Sequence, residues 1–162
     1  MLKAVIFDMD GVLADTEGLH LESLQSILAP LGVAYTLEHN RPFIGMGEGD
    51  FWKAVCRQFA LEVPPDEMSR RREGAMLRLV NQGVPPIQGA VDLVRNLGGR
   101  GVPLAVASSS PPRQIAAILA AAGVADAFDA IVSGESPQVA RGKPAPDIYV
   151  EASRLLALRP AE

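Results

Sequence analysis

Short apolar runs alternate with helical patterns along much of the chain. Three of the runs have the length of buried strands, residues 3–7, 102–107 and 130–133. Apolar side chains at helical spacing precede the second run and follow the second and third runs. The order strand, helix, strand, helix, strand predicts a parallel sheet flanked by helices. We therefore expect an α/β fold.

The segment between the first two strands has only helical patterns. Leu21, Leu24 and Leu28 recur at helical spacing, and Gly32 marks the end of that helix. Another helix covers about residues 66–80. Between these two, a helix carries apolar residues on one face, Phe51, Trp52, Val55 and Phe59. Aromatic side chains at this spacing are more typical of a core than of a binding site.

Two polar patterns have ordinary structural interpretations. Ser110 followed by Pro111 is typical of a helix N-cap and the first helical position. A basic run of Arg70, Arg71 and Arg72, with Arg78 on the same helix, is typical of a solvated helix face. Neither pattern by itself predicts a ligand site.

Composition narrows the function classes. The chain has 162 residues, 48% of them hydrophobic, and a net charge of −4, which does not favour binding to nucleic acid or to an anionic membrane. Two histidines are too few for a histidine-built metal site. Cys56 is the only cysteine, which is compatible with a reducing cytosol. No apolar run approaches a signal or spanning segment, so we expect a cytoplasmic protein. The sequence leaves the oligomeric state open, and a monomer is favoured.

The first strand delivers two carboxylates to its carboxyl end. Asp8 and Asp10 follow the apolar residues 4–7, and Gly11 comes next. A pair of carboxylates in one crevice repel each other unless a cation offsets them. An acidic turn is the alternative interpretation. Paired acids at the end of a buried strand nevertheless favour a metal or phosphoryl-transfer site.

Three segments together carry a family resemblance. Asp8-x-Asp10-Gly11-Val12-Leu13-x-Asp15-Thr16 resembles the first motif of the haloacid dehalogenase-like superfamily of aspartate-nucleophile phosphatases. Residues 102–110, a strand ending in three serines, are similar to the second motif, and residues 142–147, Gly-Lys-Pro-Ala-Pro-Asp, to the third. Each motif alone is weak, but the three in this order are specific.

The resemblance implies a Rossmann-like parallel-sheet core with an inserted α-helical cap. It assigns residues 1–15 and 84–162 to the core and residues 16–83 to the cap. Relatives of this type continue with a strand that ends in acidic residues, one of which binds magnesium. The sequence stops at residues 159–162, where that strand would begin. We therefore expect that C-terminal strands are missing and that the chain is a fragment.

The resemblance also implies hydrolysis of a phosphomonoester through an aspartyl-phosphate. Asp8 is then the nucleophile and Asp10 the general acid and base, and both hold Mg²⁺, Asp10 through its carbonyl. Ser108 and the backbone N–H of Ser109 receive the phosphoryl oxygens, and Lys143 neutralises their charge. A carboxylate is a competent nucleophile toward phosphorus, and a divalent cation lets it approach a phosphate.

The resemblance implies that the cap selects the substrate. Residues 43–47 resemble its specificity loop, with Gly45, Met46 and Gly47 as candidate contacts. His20 matches a position that couples cap closure to the general acid in sugar-phosphate mutases. A lone histidine on a helix is also a common structural residue. The implied partner is a small phosphorylated metabolite, such as a sugar phosphate.

Three alternatives remain open at the level of sequence. Phosphomutases of the family carry an arginine shortly after the loop glycine, where this chain has Glu48, although Arg41 or Lys53 could supply the charge. A non-catalytic binder of phosphate or sugar phosphate would keep Ser108 and Lys143. A signalling receiver domain is disfavoured because the long helical insertion is foreign to that fold.

Overall fold

The computed structural model describes residues 2–43 and 46–158, and the chain divides into two compact units. One unit comprises Met1–Thr16 and Val80–Glu162, and the other comprises Glu17–Leu79. The first unit is therefore built from two separate segments of the sequence. We refer to it as the α/β unit and to the other as the helical unit.

The α/β unit contains a three-stranded parallel sheet in the order β1-β2-β3. The strands are β1 (Val5–Phe7), β2 (Leu104–Ser108) and β3 (Ala130–Ser133). Strand β2 is buried along its whole length, as expected for a central strand of a parallel sheet. The register pairs Phe7 with Val106 and Ser108 with Ser133, so the carboxyl ends of the strands meet at one edge. The predicted parallel sheet is confirmed.

Pro103 explains why β2 begins later than the apolar run that predicts it. A proline has no N–H to donate to a neighbouring strand. The Pro103 carbonyl still accepts a hydrogen bond from the Val5 nitrogen at 3.0 Å. Regular pairing then starts at Leu104 and continues to Ser108. Strand β3 has the predicted bounds.

Three longer helices belong to the α/β unit, α5 (Gln88–Gly99), α6 (Pro112–Ala121) and α7 (Asp147–Leu155). Small side chains of the sheet form one buried cluster with α7, comprising Ala105, Ala107, Ala130, Val132, Ile148 and Ala152. Alanines on both sides let the helix approach the sheet closely. This packing holds the loop before α7, which carries Lys143, near the carboxyl ends of the strands.

The prediction that Ser110 is an N-cap is wrong by one residue. Helix α6 begins at Pro112, and Pro111 is its N-cap without a capping side chain. A proline at the first helical position costs no hydrogen bond, because a backbone N–H at this position would have no partner within the helix. The hydroxyl of Ser110 is therefore left outside the helix and bonds elsewhere.

The helical unit packs around large side chains. Its helices are α1 (Glu17–Leu28), α2 (Leu37–Asn40), α3 (Glu48–Gln58) and α4 (Pro65–Gln82), the last three residues of which belong to the α/β unit. Phe43, Phe51, Trp52 and Met68 lie in one buried cluster, which confirms that the aromatic pattern marks a core. Within the described residues, every helix is too short or too polar to cross a membrane.

Helix α2 is an element that the hydrophobic pattern does not predict. It has four residues, which is too short for a helical period to be visible. A capping box holds it instead, in which Thr36 and His39 bond each other's backbone nitrogens. Before it, a 3-10 turn, Ala29–Leu31, follows α1, and Gly32 ends this turn in a left-handed conformation with φ of 79°. The sequence predicts one helix that Gly32 ends, whereas α1 itself ends at Leu28.

Candidate active site

The acidic turn after β1 is closed by its own backbone. Asp8 Oδ1 accepts a hydrogen bond from the Met9 nitrogen at 2.7 Å. Gly11 has a φ of 68°, a left-handed conformation that glycine adopts without strain, and its nitrogen bonds the Ala14 carbonyl at 2.9 Å. The side chain of Asp8 is 40% exposed. An incoming group can therefore reach a carboxylate whose orientation the turn holds.

Lys143 forms an ion pair with Asp8. The distance from Lys143 Nζ to Asp8 Oδ2 is 2.9 Å, and Nζ also donates to the Ala107 carbonyl at 3.0 Å. Burial alone would lower the pKa of the Lys143 ammonium, but the hydrogen bond and charge of Asp8, followed by those of Tyr149, raise that pKa above its usual value. The ammonium lies 5.3 Å from the centre of the Tyr149 ring. Lys143 is therefore a permanent cation beside Asp8.

Three hydroxyl groups donate to the carboxylate of Asp10. Thr16 Oγ1 lies 2.8 Å from Oδ1, whereas Ser108 Oγ and Ser110 Oγ lie 3.2 and 3.1 Å from Oδ2. Thr16 and Ser108 are fully buried, and Ser110 is 8% exposed. The hydroxyls come from two distant segments of the chain. The carboxylate is thus held at both oxygens by buried neutral donors.

The ends of β2 and β3 approach each other at Gly134. Its nitrogen donates to the Ser108 carbonyl at 2.8 Å. A Cβ atom added to Gly134 would lie 3.1 Å from the Cα of Ser109, which is closer than ordinary van der Waals contact. Glycine at this position therefore permits the close packing of the exposed Ser109 backbone against the end of β3.

The candidate site residues of the α/β unit form two side-chain contacts. Asp8 contacts Lys143, and Asp10 contacts Ser108. Ser109 follows Ser108 at the end of β2. Of the candidate cap residues, His20 is half-buried on α1, and Met46 and Gly47 precede α3 and are exposed. The candidate Gly45 lies outside the described residues.

Gln114 also belongs to this arrangement, because its Nε2 donates to Ser110 Oγ at 3.3 Å. Sequence reasoning did not select four of the residues present here: Thr16, Ser110, Gln114 and Tyr149. Thr16 is the last residue of the first motif, and Ser110 belongs to the run of serines in the second motif. Their positions in the motifs could therefore have identified both as site residues. No feature of the sequence identifies Gln114 as a site residue, because a polar residue on a helix usually faces solvent. Tyr149 lies two residues into α7 and is identified only by its position near Lys143.

A second polar cluster lies within the helical unit. Glu48 accepts hydrogen bonds from Trp52 Nε1 and Arg72 Nη1, each at 2.7 Å. Arg72 Nη2 is 3.5 Å from His20 Nδ1, and the guanidinium carbon lies 5.6 Å from the centre of the Phe51 ring. Arg72 is 21% exposed, so this member of the basic run is not a solvated side chain. Its buried Nε atom has no hydrogen-bond partner.

The donor set beside β1 suits a hard divalent cation. A carboxylate and a main-chain carbonyl offer oxygen ligands, which Mg²⁺ prefers. No group of three or more His, Cys, Asp or Glu side chains able to hold a metal occurs among the described residues. Mg²⁺ is commonly bound by one or two carboxylates together with water and substrate phosphate. The half-exposed Asp8 and its neighbour Asp10 fit such a site.

Comparison with known proteins agrees with these motifs. The model of the haloacid dehalogenase-like hydrolases matches residues 2–162. The Arabidopsis thaliana protein SUPPRESSOR OF QUENCHING 1, chloroplastic, is 33% identical over 99% of this chain, which spans only 16% of that protein. The Escherichia coli fructose-1-phosphate phosphatase YqaB is 28% identical over 98% of this chain, which covers 82% of YqaB.

A solved structure agrees in fold. The crystal structure of CbbY from Rhodobacter sphaeroides in complex with phosphate superposes with a TM-score of 0.84 at 29% identity. The match covers 99% of this chain and 75% of the CbbY chain.

Proposed function

The chain belongs to the haloacid dehalogenase-like hydrolases, and from this we propose that it is a Mg²⁺-dependent phosphatase of small phosphorylated sugars. The similarity to a fructose-1-phosphate phosphatase and to a phosphate-bound CbbY supports this class of substrate. The observation that carries the proposal is the half-exposed Asp8 carboxylate, which is paired with Lys143 at 2.9 Å at the carboxyl end of the sheet.

Asp8 acts as the nucleophile. One of its oxygens forms a bond to phosphorus while the bond from phosphorus to the sugar oxygen breaks, which leaves an aspartyl-phosphate. Water then attacks this phosphorus and releases phosphate and the free carboxylate. Lys143 holds Asp8 in an ion pair before the first step and compensates the charge that accumulates on the phosphoryl oxygens. Covalent catalysis thus splits one difficult displacement into two easier ones.

Asp10 moves the protons for both steps. Asp10 enters the first step protonated and gives this proton to the departing sugar oxygen, and in the second step the resulting carboxylate takes a proton from the attacking water. Its three hydroxyl neighbours hold the carboxylate in one orientation. A fixed orientation reduces the entropy lost when the proton is transferred.

The end of β2 receives the phosphoryl group. The backbone N–H of the exposed Ser109 is available at the beginning of the turn into α6, where main-chain donors favour anions. The Ser108 hydroxyl donates to Asp10 in the substrate-free protein. When substrate binds, this proton turns to a phosphoryl oxygen, and Thr16 and Ser110 continue to hold Asp10. Asp8 and the Asp10 carbonyl would hold Mg²⁺, which would supply positive charge to offset that of the phosphate.

The helical unit supplies substrate selection, through His20, Gly45, Met46 and Gly47. Glu48, at the position where phosphomutases of the family carry arginine, is bound to Arg72 and Trp52. Lys53 is paired with Asp50 at 3.1 Å. Position 48 itself carries a carboxylate, and the neighbouring Arg72 is engaged with that carboxylate, which supports a phosphatase over a phosphomutase.

The variant Asp8→Asn tests the proposal. It keeps the size of the side chain but removes the nucleophilic charge, so we expect release of phosphate from sugar monophosphates to fall by at least about 10³-fold. Phosphate release with and without Mg²⁺ measures the effect, and circular dichroism reports whether the fold is kept. The matched control is Asp66→Asn, a carboxylate in the first turn of α4. Turnover of Asp8→Asn at the rate of the wild type would overturn the proposal.

A further inference from the structure

We propose that Ser110 and Gln114 form a buried hydrogen-bonded relay that positions Asp10 to protonate the leaving group, an inference that rests on the proposed phosphatase function. Neither residue belongs to the set selected from the motifs. Both act through Asp10 and do not contact the reacting phosphate, so they are positioning residues.

The Gln114 amide determines where the Ser110 proton points. Gln114 Nε2 lies 3.3 Å from Ser110 Oγ, and an amide nitrogen can only donate. A serine hydroxyl has one proton, and here its oxygen already accepts a hydrogen bond. The Ser110 proton is therefore directed to Asp10 Oδ2, which is 3.1 Å away.

The backbone of Ser110 directs the neighbouring hydroxyl in the same way. The Ser110 nitrogen donates to Ser108 Oγ at 3.1 Å, and Ser108 Oγ in turn donates to Asp10 Oδ2 at 3.2 Å. Ser133 Oγ donates to the Ser110 carbonyl at 2.7 Å and holds this backbone in place. Ser110 therefore orients two of the donors to Asp10, one with its side chain and one with its main chain.

Burial makes this arrangement specific. Gln114 is 4% exposed on a helix face that also buries Ile115 and Ile118. Polar groups excluded from water are costly unless they are hydrogen-bonded, and bonds in such a network strengthen one another. Water is therefore poorly placed to replace a missing member of the relay.

The relay matters most for substrates whose leaving group needs a proton. An alkoxide released from a sugar phosphate is a strong base and requires protonation as the bond to phosphorus breaks. A p-nitrophenolate is stable without a proton. The parameter kcat/KM reports the transfer to Asp8 and not the later hydrolysis, so the two esters separate the positioning of Asp10 from general loss of activity.

The experiment compares kcat/KM for p-nitrophenyl phosphate with that for the sugar monophosphate that the wild type hydrolyses fastest. For Ser110→Ala we expect a fall of about tenfold on the sugar phosphate and less than about twofold on the aryl ester. Gln114→Met keeps the volume of the side chain without the amide, and we expect about a threefold fall on the sugar phosphate alone. This second variant carries the test if Ser110→Ala does not fold.

Ser23→Ala is the matched control, because Ser23 is a buried serine that donates to a helix carbonyl, that of His20. It leaves the ratio of the two kcat/KM values unchanged. Ser110→Thr retains the hydroxyl and restores the ratio. Equal losses on both esters, or no loss in either folded variant, would overturn the relay. A wild-type protein inactive on both esters would instead overturn the proposed function.

Discussion

The two units of the molecule bury different kinds of side chains. In the helical unit the core holds large groups, Phe43, Phe51, Trp52 and Met68, which fill space. In the α/β unit the sheet buries alanines against α7 and hydroxyl-bearing side chains at the carboxyl ends of its strands. Small side chains let main-chain groups and hydroxyls come close enough to hydrogen-bond one another. Close packing of small residues therefore assembles the candidate site, whereas the large residues stabilise a scaffold.

The two units also hold their carboxylates differently. Asp10 is held by Ser108 and Ser110, which are 98 and 100 residues distant in sequence. Glu48 is held by Trp52, one helical turn away, and by Arg72 from α4. Two of the three donors to Asp10 depend on the tertiary structure, and only Thr16 is close to it in sequence. For Glu48, the spacing of four residues along one helix accounts for the contact with Trp52 but not for the contact with Arg72. A mutation in the core of each unit should therefore have a different kind of consequence.

The largest effect is expected for Trp52→Ala in the helical unit. Trp52 is fully buried, and its removal leaves a cavity and takes a donor from Glu48, so we expect a loss of about 3–5 kcal/mol in the free energy of unfolding. Denaturant-induced unfolding followed by circular dichroism measures it. Trp52→Phe keeps an aromatic ring and should lose clearly less. A loss below about 1 kcal/mol for Trp52→Ala would show that space filling does not stabilise this unit.

An intermediate effect is expected for Gly134→Ala in the α/β unit. The new Cβ would lie 3.1 Å from the Ser109 Cα, so the end of β2 has to shift by a few tenths of an ångström. We expect a fall of about tenfold in kcat/KM, because a misplaced phosphate-binding backbone lowers the rate strongly, with a loss of about 1–2 kcal/mol in stability.

Gly89→Ala is the control for Gly134→Ala. Gly89 lies on α5, and nothing lies within 4 Å of the Cβ that would be added. Alanine there should leave activity unchanged and stabilise the helix by about 0.5–1 kcal/mol. Equal activity of the two alanine variants would mean that the close approach at Gly134 has no part in catalysis.

The smallest effect is expected from titration of Tyr35 in the helical unit. Burial raises the pKa of its phenol to about 12, although the positive charge of Arg72 lowers it in part. Because the pKa in the folded state exceeds that of an unfolded tyrosine, near 10, the neutral phenol stabilises the fold below pH 10. This contribution is lost as the pH rises from about 10 to about 12.

Ultraviolet absorbance of tyrosinate, with Tyr149→Phe to isolate Tyr35, measures this titration. Arg72→Gln removes the opposing charge and should shift the midpoint to higher pH. A midpoint near pH 10 in the folded protein would contradict the burial of the Tyr35 phenol.

Most of the fold could be predicted from local patterns. The three strands, the parallel sheet and the six longer helices of the described residues are predicted from the sequence, and β3 has its predicted bounds. Discrepancies have local causes. Pro103 delays β2 because it lacks an N–H, and Pro112 occupies the first position of α6, which displaces the predicted cap.

The sequence by itself determined the fold class and selected the candidate reacting groups. Periodicity is a property of neighbouring residues, and Asp8, Asp10 and Lys143 stand in motifs that short segments define. Only the tertiary structure decided what surrounds these groups. Ser110 was predicted to cap a helix and instead donates to Asp10, and Gln114 has the sequence signature of a solvated helix residue. The hydrogen bond between Ser110 and Asp10 joins residues 100 positions apart, and it forms because β1 and β2 pair side by side in the sheet, a contact between distant segments that the local sequence around Ser110 does not contain.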